Sequence, residues 1–128
     1  MPFSTTVLVP RWLLLSVLAA APAWAPCVAA HAFLDHSTPA ADSALEESPT
    51  SVKLWFSEPI ERAFSKVEVA NDANQRVDER DAQVDRANPK LLQVSLPRLT
   101  AGKYRVTWRA VSIDTHVSRG EFSFEVTR

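Results

Sequence analysis

Hydrophobic and polar residues alternate along several short stretches of the chain, most clearly between residues 102 and 110. There Tyr104 and Val106 alternate with Arg105 and Thr107. Successive side chains of a β-strand point to opposite faces, so this stretch predicts a strand with one face in the core and the other in solvent. Shorter stretches with the same alternation occur at residues 64–70, 92–96 and 122–126.

The remaining segments extend this all-β pattern. Residues 52–57 are apolar on both faces except for Lys53, which is typical of a central strand. Residues 31–37 predict the first strand, 75–86 an edge strand with a loop, and 40–50 a loop or a single helical turn. No long stretch has a helical period, and about seven short strands separated by turns predict a β-sandwich or small barrel of Greek-key type.

Residues 1–30 have the features of a signal peptide. Arg11 is their only charged residue, and an apolar run of residues 12–21 is too short to span a bilayer. The small residues 28–30 form the pattern that signal peptidase reads, so we expect cleavage before His31 and a mature domain of residues 31–128. An uncleaved anchor and a lipoprotein formed through Cys27 are the alternatives. A signal peptide places the mature domain outside the cytoplasm, and we expect the bacterial periplasm.

Composition narrows the chemistry that the mature domain can perform. The 128 residues include 14 Lys and Arg and 15 Asp and Glu, so no basic field favours nucleic acid. Cys27 and Met1 are the only sulfur-containing residues, and both precede the expected cleavage point. The mature domain therefore lacks a disulfide, a thiolate site and a methionine-rich site for Cu(I).

Asp114 and His116 are two residues apart, and in an extended backbone their side chains would point the same way. Cleavage before His31 would add a free amine and an imidazole on one residue, which can chelate a metal together. Nitrogen and oxygen ligands suit Cu(II), so these residues predict a site for one Cu(II) ion, with zinc as the main rival. Taken singly, each residue has a plainer interpretation: an ordinary terminal histidine, a turn aspartate or a surface histidine.

Other notable side chains receive structural interpretations. His36 has the opposite strand parity to His31 and is expected on the surface. Trp55 and Trp108 are expected in the core.

The sequence HAFLDHSTPAADSALEESPTSVKLWFSEPIE, from residue 31, resembles the opening of CopC-type copper-binding proteins, and GKYRVTWRAVSIDTHVSRGEFSFEV resembles their closing block. The resemblance implies a periplasmic, cupredoxin-like Greek-key β-barrel. It also implies that His31, Asp114 and His116 bind Cu(II), with Glu58 of the FSEP block beside the site. Many relatives have a second histidine where this chain has Phe33, and they usually have glycine where it has Thr115.

The predicted function is copper homeostasis or resistance without catalysis. A monomer would carry or buffer one Cu(II) ion and pass it on to an inner-membrane copper transporter of the CopD type. One alternative is a copper-dependent redox enzyme that uses a terminal-histidine brace, although 98 mature residues leave little chain for a substrate face. The other is a metal-free, Ig-like interaction module.

Overall fold

Two four-stranded sheets pack face to face in the computed structural model, which describes residues 31–128 together with Pro2. The predicted signal peptide and its cleavage point lie outside the described residues. The strands are β1 (Leu34–Thr38), β2 (Ala44–Leu45), β3 (Ser51–Phe56), β4 (Lys66–Asn71), β5 (Gln83–Val84), β6 (Leu91–Ser95), β7 (Gly102–Val111) and β8 (Val117–Val126). The order is β1-β3-β6-β5 in one sheet and β2-β8-β7-β4 in the other, and only the β2–β8 pair is parallel.

This architecture confirms the all-β prediction. Residues 31–128 contain eight strands where about seven were expected, because part of the 40–50 segment forms the two-residue strand β2. That segment is therefore not a helical turn. Within the described part of the chain, no helix is long and apolar enough to cross a membrane.

The core lies between the sheets and is built from the alternating apolar positions. Val52, Leu54, Val106 and Phe124 are at most 2% exposed. Burying such side chains stabilises the fold by roughly 1.5–3 kcal/mol each. The alternation read from the sequence therefore correctly identifies the inner face of each long strand.

Trp108 is a core residue, as predicted. Its indole makes an edge-to-face contact with Phe56, with ring centroids 5.2 Å apart. It also lies across Gly120, its cross-strand partner in β8, where a Cβ atom would come within 2.6 Å of the indole. A side chain at position 120 would therefore displace Trp108.

The core prediction for Trp55 is wrong. Val52, Leu54 and Phe56 fill the inner face of β3, so Trp55 lies half-buried on the outer face. There it stacks on His36 with centroids 4.5 Å apart and an interplanar angle of 11°. Lys53 has the same strand parity as Trp55 and is the one sequence signal that this face points outward.

A buried carboxylate fastens the loop between β4 and β5. The Asp78 side chain is fully buried and accepts hydrogen bonds from the amides of Val69 and Arg80, each at 2.8 Å, and from the Arg76 guanidinium. Burial raises the pKa of Asp78, but the hydrogen bonds from Arg76 and from the two amides outweigh it, and the net pKa is lowered. The charged carboxylate is thus the form that the fold selects.

Candidate metal centre

A tight turn joins β7 to β8 and carries two of the predicted ligands. The Ser112 amide donates to the His116 carbonyl at 2.9 Å, and the Thr115 amide donates to the Ser112 carbonyl at 2.9 Å. The backbone around Asp114 is therefore not extended, because this turn closes a hairpin. Asp114 and His116 are brought together by the turn and not by strand alternation.

Thr115 occupies the position at which the resemblance to CopC-type proteins implies glycine. Its φ is 72°, in the left-handed region that glycine enters freely and a β-branched residue enters only at a cost. The turn thus keeps a glycine-type conformation despite the threonine, at a cost of about 1–2 kcal/mol.

The side chains of Asp114 and His116 face each other at the surface. His116 Nδ1 lies 3.0 Å from Asp114 Oδ2, and the two side chains are 42% and 44% exposed. The Ser112 hydroxyl donates to Asp114 Oδ1. This hydrogen bond, followed by the adjacent His116 ring, lowers the pKa of Asp114, so the carboxylate is ready to bind a cation.

His116 Nδ1 is a polar atom that the fold leaves unsatisfied. It is shielded from solvent and lacks a hydrogen-bond partner within residues 31–128, since its approach to Asp114 does not have the direction of a hydrogen bond. A buried nitrogen beside a carboxylate oxygen is a costly arrangement unless a proton or a cation lies between them. The donor set therefore fits a metal ion.

His31 reaches the same place from the other sheet. The Phe33 amide donates to Ser57 Oγ at 3.0 Å, and the Ser57 amide donates to the Phe33 carbonyl at 2.8 Å. Ala32 is fully buried, so the segment before β1 is fixed to the core. As a result the His31 ring lies edge-on to the His116 ring, with centroids 4.6 Å apart.

The three predicted ligands are thus neighbours, but they are not yet arranged around one point. Among residues 31–128, no group of three His, Cys, Asp or Glu side chains is positioned as it stands to hold a metal ion. Binding of one ion by all three residues would therefore require their side chains to reorient. The amine of a chain that begins at His31 would be a further donor beside them.

Glu58 and His36 are the other two residues that the sequence analysis discussed in relation to the site. The Glu58 side chain is exposed and makes no hydrogen bond within the described domain, so its place beside the site stays a prediction. His36 is on the outer face of β1, where its side chain is 58% exposed and its Nδ1 lies 2.7 Å from Asp35. This agrees with the expected surface position of His36.

Sequence reasoning missed two serines that build the site. Ser112 is 2% exposed and holds Asp114 through its hydroxyl, while Ser57 fixes the His31 segment. A serine two residues before an aspartate is a weak sequence signal, because most serines in such positions face solvent. Only the burial of Ser112 distinguishes it.

Comparison with known proteins identifies the family. The CopC domain model matches residues 34–127, so the chain belongs to the CopC family and is a CopC-type copper-binding protein. Copper resistance protein C of Escherichia coli is 37% identical over 105 residues, which cover 76% of this chain and 82% of that protein. Copper transport protein CutJ of Bacillus subtilis is 34% identical over 98 residues, covering 76% of this chain but only 18% of that protein.

A solved structure of a CopC protein has the same fold as this chain. The crystal structure of CopC from Methylosinus trichosporium OB3b superimposes with a TM-score of 0.71 at 31% identity, covering 76% of this chain and 94% of that one. The cupredoxin-like β-sandwich and the connection to copper homeostasis are therefore confirmed.

Proposed function

We propose that the processed protein is a periplasmic, non-catalytic carrier that binds one Cu(II) ion through His31, Asp114 and His116. The contact of the His31 and His116 rings at 4.6 Å, beside the Asp114 carboxylate, is the observation that carries the proposal. What supports the proposal is the type of the neighbouring groups, since two imidazoles and a carboxylate at one surface point are ligands that suit a divalent metal ion.

Each ligand has a distinct part in this site. The amine and the ring of His31 close a chelate, His116 supplies a second imidazole, and Asp114 supplies a carboxylate oxygen. Three nitrogens and one oxygen are a donor set that Cu(II) prefers, and Cu(II) leads the affinity order of the divalent metals, including zinc. Glu58 would orient the site by accepting a hydrogen bond from the amine or from a ligand ring.

The proposed metal is Cu(II) and not Cu(I), because the chain has no soft ligand near the site. Its only methionine is Met1 and its only cysteine is Cys27, both before the expected cleavage point. A cuprous site would need thioether or thiolate sulfur. We therefore expect binding of one ion in the cupric state.

A membrane copper transporter of the CopD type is the proposed recipient. In CutJ the segment similar to this chain is less than a fifth of a longer copper transport protein, which supports a working association between such a domain and a transporter. In this proposal the carrier is a separate monomer that meets the transporter at the membrane.

Intact mass and Cu(II) titration of protein exported by a bacterium test the site. We expect a mass that corresponds to a first residue of His31, and one tightly bound Cu(II). A matched form with one extra residue before His31 should bind Cu(II) orders of magnitude more weakly, because its amine can no longer close the chelate. Equal affinity of the two forms would refute the amine–imidazole ligand pair.

Substitution of the second histidine provides an independent check. His116→Ala should change the EPR spectrum of the bound Cu(II) through the loss of a nitrogen ligand, whereas His36→Ala should leave it unaltered. An unchanged spectrum in His116→Ala would exclude His116 as a ligand.

A further inference from the structure

The large hydrophobic side chains that the domain exposes are gathered at one end of the sandwich. Within residues 31–128 these side chains are Phe33, Phe64, Ile113 and Val117, and they are 63%, 59%, 61% and 46% exposed. Ile113 and Val117 flank the turn that carries Asp114 and His116. The Phe33 ring lies 6.0 Å from the His31 ring. The fourth residue, Phe64, precedes β4, and its carbonyl accepts a hydrogen bond from Arg109.

A row of cations crosses the adjoining sheet. Lys66, Arg109 and Arg119 are direct cross-strand neighbours on β4, β7 and β8. Like charges at such positions repel each other at a separation of about 5 Å between strands. In the described domain none of the three has a carboxylate within ion-pair distance. Two carboxylates lie at the next outward-facing positions: Glu68 on β4, which already pairs with Arg76, and Glu121 on β8. The fold thus retains a repulsive arrangement that a negative partner would relieve.

A shallow groove lies along this row. Lys66, Arg109 and Arg119 line it together with Glu68, Thr107 and Glu121. The apolar end and the basic row are adjacent, because Val117 and Arg119 are successive outward-facing residues of β8. Apolar side chains next to polar ones, gathered around one point, are characteristic of a surface that binds another protein.

We propose that this end of the sandwich is the docking surface for the protein that exchanges copper with the domain, and that this partner presents an apolar centre flanked by carboxylates. The surface consists of Phe33, Phe64, Ile113 and Val117, with the row Lys66, Arg109 and Arg119 at its margin. The inference rests on the proposed function, since it gives the partner's surface chemistry at the same site. A second copy of this chain is a poor occupant, because it would bring a second basic row against the first.

Docking around the ligands has a kinetic consequence. A partner seated on this surface would offer its own ligands to the ion before the domain releases it. Copper would then pass directly between the two proteins, and the transfer rate would exceed the rate of spontaneous release. The basic row would also speed the encounter with an acidic partner, in a manner that salt weakens.

The test compares copper transfer from variants into right-side-out inner-membrane vesicles of the source bacterium. One variant combines Phe64→Ser, Ile113→Thr and Val117→Thr, and another combines Lys66→Glu and Arg119→Glu. The control, Arg98→Glu with Lys103→Glu, makes the same charge change at the opposite end of the sandwich. Spontaneous release from each loaded protein is measured with a soluble copper chelator.

For the unaltered protein we expect transfer that saturates with protein concentration and is faster than release to the chelator. Both surface variants should bind Cu(II) as before yet transfer it about tenfold more slowly, as expected for the loss of central interface contacts. The control should behave like the unaltered protein. Raising the salt should slow transfer from the unaltered protein but not from the charge variant.

Other results would overturn the inference. If all variants transfer copper at the rate of spontaneous release, the docking surface is refuted, while the proposed copper site is unaffected. Binding to protein-free vesicles containing phosphatidylglycerol, lost in the charge variant, would assign the surface to lipid. Sedimentation showing a dimer that the apolar substitutions dissociate would assign it to a second copy. Failure of the Cu(II) titration itself would instead refute the proposed function.

Discussion

Ser112 is the side chain on which the geometry of the proposed site depends most. It is buried and donates its hydroxyl hydrogen to Asp114. The same hydroxyl oxygen lies 3.3 Å from the His116 carbonyl oxygen. Residues that orient metal ligands in this way commonly change metal affinity when they are replaced.

We expect Ser112→Ala to weaken Cu(II) binding by about 10–100-fold, because the Asp114 carboxylate loses the donor that orients it. Ser112→Thr, which keeps the hydroxyl, should recover much of the affinity. Ser118→Ala is the matched control, since Ser118 lies on the same hairpin and makes no side-chain hydrogen bond within the described domain. Competitive titration measures the affinity, and circular dichroism verifies the fold. A normal affinity for Ser112→Ala would show that the turn alone positions Asp114.

Thr115 is a residue whose backbone the fold strains. With φ at 72°, Thr115→Gly should relieve more strain than the added flexibility of the unfolded chain costs, and should raise the free energy of unfolding by about 0.5–1 kcal/mol. Urea denaturation measures the change. Thr115→Ala keeps a Cβ atom and should show only part of this increase in the free energy of unfolding. An equal increase in both variants would indicate a cause other than φ.

At the scale of elements, the loop between β4 and β5 depends on one ionised group. The pKa of Asp78 is lowered in the folded state, so its contribution to stability is complete above the unfolded value of about 4 and is lost as the pH falls through the lowered folded value. Asp78→Asn should therefore cost about 2–3 kcal/mol at neutral pH, because Arg76 and the buried amides lose a charged acceptor.

Urea denaturation at pH 7 and at pH 3 tests this dependence. The stability difference between Asp78→Asn and the unaltered protein should shrink at the lower pH. A difference of the same size at both pH values would mean that the carboxylate charge is not the source of the stability.

The sequence predicts strands better where one face alone is apolar. Val106 and Phe124 were placed correctly because polar residues separate them from their neighbours. Trp55 was misplaced because the single polar residue on its face of the strand, Lys53, was given too little weight. The short strand β2 pairs only two residues with β8, which is too few to leave a periodic signal. The approach of Trp108 to Gly120 depends on the register of two strands, which no local pattern fixes.

The sequence analysis named three residues that the structure brings together, but it did not predict the geometry that does so. His31, Asp114 and His116 were each named from the sequence, and they are neighbours in the structure. The turn that brings Asp114 and His116 together was missed, because a threonine gives no sequence signal for a left-handed backbone. Ser112 was missed because burial of a small polar residue follows from tertiary packing alone.

For the whole molecule, the proposed ligands come from both sheets. His31 precedes β1 of one sheet, and Asp114 and His116 follow β7 of the other. One bound ion would therefore hold the two sheets together at this end. At a free Cu(II) concentration a hundred times the dissociation constant, binding should add about 2.7 kcal/mol to the free energy of unfolding.

Scanning calorimetry of the processed protein without copper, and with free Cu(II) buffered at a hundred times the dissociation constant, measures this effect. For a domain of this size the melting temperature should rise by about 10 °C or more. His116→Ala should show a much smaller rise. A melting temperature indifferent to copper would contradict binding that spans the two sheets.

A link of this kind would connect the protein's lifetime to its cargo. Proteases act on opened chains, so the empty form, which lacks the additional link that the ion would make between the two sheets, would be degraded first. The filled form would persist as long as it retains the ion. The amount of carrier in the compartment would then follow the copper supply, even with synthesis held constant.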